Sequence, residues 1–528
     1  MKNFFLLISI LLLGLVLRLY NLNFPTVGYH NMMENESLSM AQEMKRTGDF
    51  LHKRVYFYNA FEEDPVLKDN PQPPLVAYQI LLAWRMFGEN IWAPRLINIF
   101  FGVAGILLMY LISRLLFVGR EPPFFCAILT AVMPLAVFFS RNIQAESPAF
   151  FFMLLATLFY LKFCSSGKIY HLLIGGVAIF FAWAYRFNFI VGILPVIFCF
   201  PFKKLCSEKR AFLKFLLAAL LPFLLILGVL AFIRLSGMSE FHYRFCSWEA
   251  FQPSYWREHK DTILWYVTGE NFTSLLSVLA TWGVFLAFFR RKTLLDRYLM
   301  GWVLAAVVYA AAFSADLHQN NYAQMPFLAA VCLSCCATLL FIAEELKKSL
   351  KRDFLILLMI AASALSAFPV YRCLSRMHST VFLGQDVAGE TIEEFTQESE
   401  RVFLFTHSQG YAIARYASRY AGWPVSLEEF KKDEQKYGIR FVCIYPGEYL
   451  ANLRQSAPAL YEYIQNTYRV REAGFLESSN RLGHLVLEKG NPENKTIETT
   501  LQALAGKIQP RSIYKILGKY IFYYAIRP

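Results

Sequence analysis

Apolar residues dominate positions 1–374 in runs near 20 residues, the length that crosses the hydrocarbon of a bilayer. About eleven such runs predict spanning helices, at 4–20, 93–117, 122–140, 147–163, 170–185, 188–202, 211–234, 272–289, 297–314, 324–343 and 353–374. The first follows Lys2 but has no small-residue cleavage site and continues into Arg18-Leu19-Tyr20, so it reads as an uncleaved helix. Two polar loops are too long to be turns. The loop 21–92 holds a charged, aromatic stretch and then "LVAYQILLAWRMFGEN", whose helical spacing suits a helix lying along a membrane surface. The loop 235–271 mixes Trp248, Tyr255, Trp256 and Trp265 with charges, an interfacial composition.

After residue 375 the pattern changes. Short β-type runs, "RVFLFT" and "RFVCIYP", alternate with charged helical ones, "SLEEFKKDEQKYG" and "APALYEYIQNTY", which predicts a soluble α/β domain over 375–528. The last stretch, "SIYKILGKYIFYYAIRP", reads either as a segment resting on the membrane or as an ordinary amphipathic terminus.

Composition agrees with a bilayer protein: 56% of the 528 residues are hydrophobic and 17% charged, which excludes disordered and collagen-like classes. The net charge of +13 has an explanation other than nucleic acid. With the N-terminus inside, every inner loop is basic, among them Lys203, Lys204, Lys209 and Arg210, then Arg290, Arg291, Lys292 and Arg297, then Lys347, Lys348, Lys351 and Arg352. The odd number of spans then puts 375–528 on the outer, extracytoplasmic side. The ten cysteines show no zinc spacing, and Cys332, Cys335 and Cys336 fall in an apolar run as small hydrophobes.

Charged groups at the rim of a helix bundle are costly and tend to be functional. By this topology Glu34, Glu36, Arg141, Glu146 and Arg186 all fall on the outer face. Glu34 and Glu36 are two residues apart on a helix beginning at Asn31 or Asn35, so they point to different faces. Glu146 opens the fourth span, where a helix N-terminus also favours a carboxylate electrostatically. Carboxylates beside cations suit a base that deprotonates an acceptor while Arg or Lys holds an anionic leaving group such as a phosphate. His30, beside the acidic pair, reads as an acceptor-binding or a capping residue; His318 reads as a sugar contact or a solvated loop residue. No P-loop, Rossmann fingerprint or nucleophile elbow is present, so the donor is read as nucleotide-free.

Several strings resemble one family. They are "LRLYNLNFPTVGYHNMMENESLSMAQEMKRTGDF", "NPQPPLVAYQILLAWRMFGENIWAPRLINIFFG", "FFSRNIQAESPAFFFMLLA", "LHQNNYAQMPFLA" and "RYASRYAGWP". In order and spacing they are similar to the polyprenyl-phosphate-sugar-dependent glycosyltransferases of the GT-C fold. That group contains the protein O-mannosyltransferases and the aminoarabinose transferase of lipid A, and the nearest branch is the bacterial, dolichyl-phosphate-mannose-protein-mannosyltransferase-like one. The resemblance implies a polytopic α-helical GT-C-like catalytic domain over 1–374 in the bacterial inner membrane, with the α/β domain on its periplasmic side. It further implies a sugar transferred with inversion from a polyprenyl-phosphate carrier to a lipid, glycan or protein acceptor, with no nucleic-acid partner. Its first-loop catalytic acid corresponds to Glu36, or to Glu34 in an alternative alignment that places Met33 at the family's aspartate, and its second acid to Glu146. Arg141, Lys68 and Arg186 correspond to groups meeting the donor phosphate, and His30, His318 and Tyr322 to substrate contacts. No resident metal or other cofactor is demanded, although a divalent cation is compatible with the carboxylates. A membrane oligosaccharide ligase and a secondary transporter are the competing classes.

Overall fold

The apolar runs form helices in the computed structural model, which describes residues 2–57, 66–67, 72–202, 209–238, 248–406, 410–476, 481–490, 496–503 and 509–527. The chain divides into two units, Met1–Leu22 with Lys68–Met377, and Asn23–Leu67 with His378–Pro528. Among the described residues six helices of the first unit are long and apolar enough to cross a bilayer: Trp92–Leu116, Glu146–Ser166, Phe212–Leu235, Leu294–Ala312, Asn321–Leu350 and Leu355–Ser379. Two bent pairs raise the number to eight, and four shorter apolar helices, Asn3–Arg18, Leu75–Phe87, Ile169–Tyr185 and Phe187–Ile197, cover the remaining runs and the surface-helix stretch. The expected count of about eleven therefore resolves into helices of unequal length. The unit has the character of an integral membrane domain.

The first bent pair has a local cause. Pro134 has no N–H and opens the helix Pro134–Arg141, turned 53° from Glu121–Val132. The Thr130 carbonyl, four residues back, thereby loses its helical donor. Arg18, fully buried, donates to Thr130 O at 3.4 Å, to Ala131 O at 3.0 Å and to Gly14 O at 2.9 Å. Gly102 makes the room, since a Cβ there would lie 2.4 Å from Ser140 Oγ and 3.0 Å from Arg18 Nε. The second bent pair, Pro253–Asn271 with Ser274–Arg290, turns by 107°. The described cysteines are all unbridged thiols, and Cys332, Cys335 and Cys336 are wholly buried.

The second unit is built on a seven-stranded sheet of order β2-β1-β3-β5-β4-β7-β6. Its strands are β1 Val402–Thr406, β2 Ala421–Gly422, β3 Phe441–Tyr445, β4 Tyr468–Leu476, β5 Arg481–Lys489, β6 Gln509–Ile516 and β7 Lys519–Ile526. β1 runs parallel to β2 and β3, and the other pairs are antiparallel. Every residue of β1 and β3 is buried because helices cover both faces, which is why these strands read as unbroken apolar runs. Phe403, Phe405, Val442 and Ile444 meet Phe430 and Ile464 on one side, while Val402, Leu404, Phe441 and Cys443 meet Ile392 and Ile413 on the other. The C-terminal stretch forms two paired strands. Leu517 and Gly518, both at positive φ, turn it into the β6–β7 hairpin.

The first loop is divided between the units, a departure from a boundary drawn at 374 alone. Asn23–Leu67 packs with the C-terminal domain because its apolar residues complete that domain's core: Val27 joins Val387 and Tyr523, and Tyr56 and Phe57 join Leu404 and Ile413. Backbone bonds fasten both ends, from Phe382 N to Val27 O at 2.7 Å and from Ala421 N to Tyr56 O at 2.7 Å. Phe57 lies edge-on to Tyr411 and Trp423. Replacing it, Phe57→Ala, is expected to cost about 3 kcal/mol of the second unit's stability. Limited proteolysis of the purified protein then shows faster cleavage within 23–67, with the helices of the first unit cut at an unchanged rate.

Candidate active site

Glu146 begins the helix Glu146–Ser166 in a turn that a single asparagine holds. Asn98 Nδ2 donates to the carbonyl of Gln144 at 2.8 Å and to that of Asn142, its Oδ1 accepts from Gln79 Nε2, and its backbone carbonyl accepts from Ser147 Oγ at 2.9 Å. The Glu146 carboxylate is only 1% exposed, and neither oxygen accepts a hydrogen bond from another described residue. Ala145 is the N-cap, and Glu146 stands in the first turn of its helix, the place where a helix end favours a carboxylate. Arg186 Nε stands 3.5 Å from Glu146 Oε1, and its guanidinium lies 5.7 Å from the centre of the Tyr322 ring. Asn188 and Tyr309 bring these partners together. Asn188 Nδ2 donates to Tyr309 OH at 2.7 Å and Tyr309 OH to Ala323 O at 2.6 Å, tying the turns at 187–192 and 321–327 to one helix.

A further carboxylate, Asp316, belongs to this cluster, and the sequence reading did not single it out. It lies in the short helix Ser314–Gln319, and burial pushes its carboxyl above the usual range with the Arg186 charge opposing. Its Oδ2 has no hydrogen-bond partner among the described residues. The polar string around it was the available signal, but His318 and Tyr322 drew attention first. His318 turns instead to the helix Pro253–Trp265, stacked on His259 at 3.7 Å with its Nδ1 3.5 Å from Tyr255 OH. Arg141 is buried with Nη1 bonded to the carbonyls of Tyr20 at 3.1 Å and Asn21 at 3.4 Å, so this side chain anchors the end of the first helix.

The other acids lie in the second unit, on the helix Asn31–Thr47. Asn35 fixes its start: Nδ2 donates to Thr26 O at 2.7 Å and Asn31 O at 2.8 Å, and Oδ1 accepts from Thr26 Oγ1 at 2.7 Å. Asn31 Nδ2 donates to Gln385 Oε1 at 2.8 Å. Further along, buried Glu43 holds Arg46 at 2.7 Å and accepts from Tyr420 OH at 2.5 Å. As their spacing demands, Glu34 and Glu36 part company: Glu34 is buried, and Glu36 is only partly so. His30 sits at the helix N-cap with φ 54° and does not cap through its side chain, which rests against Tyr29. Lys68 lies outside the described residues.

Lys53 is the cation of this second cluster, and it too was missed. It is 2% exposed; burial pushes its ammonium down to about 8, and the attraction of Glu36 opposes that fall. Among the described residues no three His, Cys, Asp or Glu side chains gather as a metal site. The Lys53 environment has a measurable consequence. A lysine whose folded pKa is depressed makes the unfolded state bind more protons between pH 8 and 10.5, so stability rises with pH across that window. The full rise is roughly 3 kcal/mol. Denaturant unfolding of the second unit at stepped pH is expected to show this slope, and Lys53→Met to flatten it.

With this geometry in place, comparison with known proteins is informative. Residues 71–232 match the sequence model of the family described as dolichyl-phosphate-mannose-protein mannosyltransferase. YkcB of Bacillus subtilis (strain 168), which carries the name of a mannosyltransferase, is 28% identical over 177 residues, covering 33% of this chain. The match spans 24% of YkcB, about a quarter of that relative's length. Among solved structures, apo ArnT from Cupriavidus metallidurans superposes with a TM-score of 0.60 at 13% identity, over 91% of this chain and 97% of ArnT. The oligosaccharyltransferase AglB from Archaeoglobus fulgidus gives 0.55 at 12% identity, over 92% of this chain and 74% of AglB. The resemblance carried by the sequence motifs is thus upheld: the chain shares the GT-C fold of ArnT and AglB, and residues 71–232 match the mannosyltransferase family's model.

Proposed function

We propose that this protein is an inverting glycosyltransferase that moves one sugar from a polyprenyl-phosphate carrier to an acceptor on the extracytoplasmic side. The observation that carries the reading is the partly buried Arg186, loosely paired with a Glu146 whose oxygens accept no hydrogen bond from another residue among those described. A guanidinium so placed can exchange its carboxylate for a lipid phosphate. Two neighbours in fold support the donor class: ArnT has been solved bound to undecaprenyl phosphate and AglB in complex with a dolichol-phosphate and an inhibitory peptide.

Roles follow from the surroundings of each residue within its own unit. Glu36, partly exposed and attracted to Lys53, is the carboxylate that accepts the proton of the acceptor hydroxyl or amine. Glu34 is buried and supports the helix. As the acceptor atom bonds to the anomeric carbon, the bond from that carbon to the carrier phosphate breaks, and the electron pair leaves with the phosphate. Arg186 neutralises the departing anion, while Glu146 and Tyr322 orient Arg186 or the sugar. Lys68 is retained as a second phosphate contact, and Arg141 fixes the chain where the first loop begins. A single displacement inverts the anomeric configuration.

The acceptor and the sugar follow from measurement. Deleting the gene is expected to make one monosaccharide-linked polyprenyl phosphate accumulate, read by mass spectrometry of the lipid extract. An accumulating oligosaccharide carrier would replace this reading with that of an oligosaccharide ligase. In membranes supplied with the accumulated carrier, Glu36→Gln is expected to slow transfer by between about a hundred- and ten-thousand-fold. Glu34→Gln should act mainly through stability. A product with retained anomeric configuration would exclude the single displacement.

A further inference from the structure

A cavity of about 460 Å³ lies in the first unit between the bent elements at 263–281 and the helices Leu294–Ala312 and Leu328–Leu350. Its size is that of a ligand pocket. Val267, Phe272, Val303 and Phe327 are among its apolar walls, and none of the side chains lining it is charged. Three lining groups are polar and buried without a hydrogen-bond partner among the described residues: Gln324 Nε2, Ser334 Oγ and Trp302 Nε1. Leaving such a donor unpaired costs about 1–3 kcal/mol.

The orientation of Gln324 is dictated by its neighbours. Asn271 Nδ2 donates to the backbone carbonyl of Asn321 at 2.8 Å, which only a donor can do. The same Nδ2 contacts Gln324 at 2.9 Å, so that contact must be Gln324 Oε1, and the amide nitrogen is left over. Asn321 is held in turn by Glu270, to whose Oε2 it donates at 2.8 Å. The segment carrying these groups is a π-helical turn, Tyr266–Asn271, followed by Thr273 at φ 65°, a conformation that costs a non-glycine residue energy. Both the strain and the unpaired donors meet at one apolar cavity.

The ligand that satisfies this wall has a hydrocarbon body and a neutral hydrogen-bond acceptor. A phosphate or free carboxylate would find no cation among the lining residues. An isoprenoid tail, a pure hydrocarbon, would leave all three donors unpaired. The helices that form the cavity also carry apolar outward residues such as Val278 and Val307, both mostly exposed, the kind of surface a bilayer covers. We propose that this cavity binds the ester-linked acyl chain of a membrane glycerolipid, its ester carbonyl accepting hydrogen bonds from Gln324 Nε2 and Ser334 Oγ. Glu146, Arg186, Asp316 and Tyr322 are not among the residues lining this cavity, and the proposal does not depend on the transferase reading.

The test uses the full-length protein in vesicles of phosphatidylethanolamine and phosphatidylglycerol carrying a trace of phospholipid with a photoactivatable acyl chain. A matched probe has ether links and so lacks the carbonyl. After irradiation, mass spectrometry of peptides from 263–284 and 302–334 is expected to show the ester probe about five- to tenfold above the ether probe, the worth of one good hydrogen bond. Gln324→Leu should bring the ratio close to one with an unchanged thermal transition, and Val303→Trp should remove both labels by filling the cavity. Should Gln324→Leu fail to fold, Ser334→Ala and the two-probe ratio on the unaltered protein decide the matter. Equal labelling by the two probes in the unaltered protein overturns the proposal. So does displacement of the ester probe by added polyprenyl phosphate, which would make the cavity a place for the carrier's tail.

Discussion

Hydrocarbon does not tolerate unpaired backbone groups, and the first unit is organised around one place where this constraint is met by a side chain. Pro134 frees a carbonyl inside an apolar run, and Arg18, from a helix more than a hundred residues earlier, donates to it and to the next. Burying a guanidinium is itself expensive, so the arrangement holds only because several carbonyls share the charge. Its consequence is directional. The 53° turn sends Pro134–Arg141 away from the axis of Glu121–Val132, and the following turn is the one Asn98 grips. Glu146 begins the next helix, so its place follows from a break twelve residues earlier.

The second unit solves a different problem. A helix as polar as Asn31–Thr47 has little apolar face of its own and takes its position from what it packs against. Here the support comes from residues 381–421, through Gln385, Tyr416 and Tyr420. Closing so long a loop costs only slightly more entropy than closing a short one, because the cost grows with the logarithm of length. The C-terminal domain is therefore part of what orients Glu36, a role its composition did not announce.

The same contrast explains what could be read in the sequence. The helices, β1, β3 and the helices Leu427–Tyr437 and Pro458–Thr467 were legible because period and polarity are local properties. Glu146, Arg186 and Tyr322 could be nominated because their motifs stand at the ends of apolar runs, and the fold brings those three together. Asn98, Asp316 and Lys53 could not, since each acts through a contact distant in sequence: Asn98 is an uncharged residue inside an apolar helix of a family-like string, and Asp316 and Lys53 lie outside the strings that carry the resemblance. The division of the first loop was hidden for the same reason: Val27, Tyr56 and Phe57 look like scattered loop hydrophobes until the sheet they complete is seen. His318, read from its polar string as a sugar contact or a solvated loop residue, has its ring stacked on His259, a partner that the string does not contain. Each of the eleven apolar runs forms helix among the described residues, but a run near 17 residues satisfies the composition of a crossing without fixing its length.

The electrostatics of the first cluster bear on how an arginine can release one anion and take another. Arg186 faces Glu146 at 3.5 Å, longer than a good charge-assisted hydrogen bond, and it feels Asp316 without a close ion pair. Two fully ionised carboxylates would bind the guanidinium tightly and leave the cluster with a surplus negative charge that repels a phosphate. Burial raises the Asp316 pKa, so a proton on this residue removes part of that surplus at lower cost than for an exposed aspartate. In the proposed reaction an arriving lipid phosphate competes with the Glu146 carboxylate for Arg186. The loose contact between Arg186 and Glu146 is in this view a requirement of the exchange, because a tight bidentate pair would hold the arginine against the ligand it must accept.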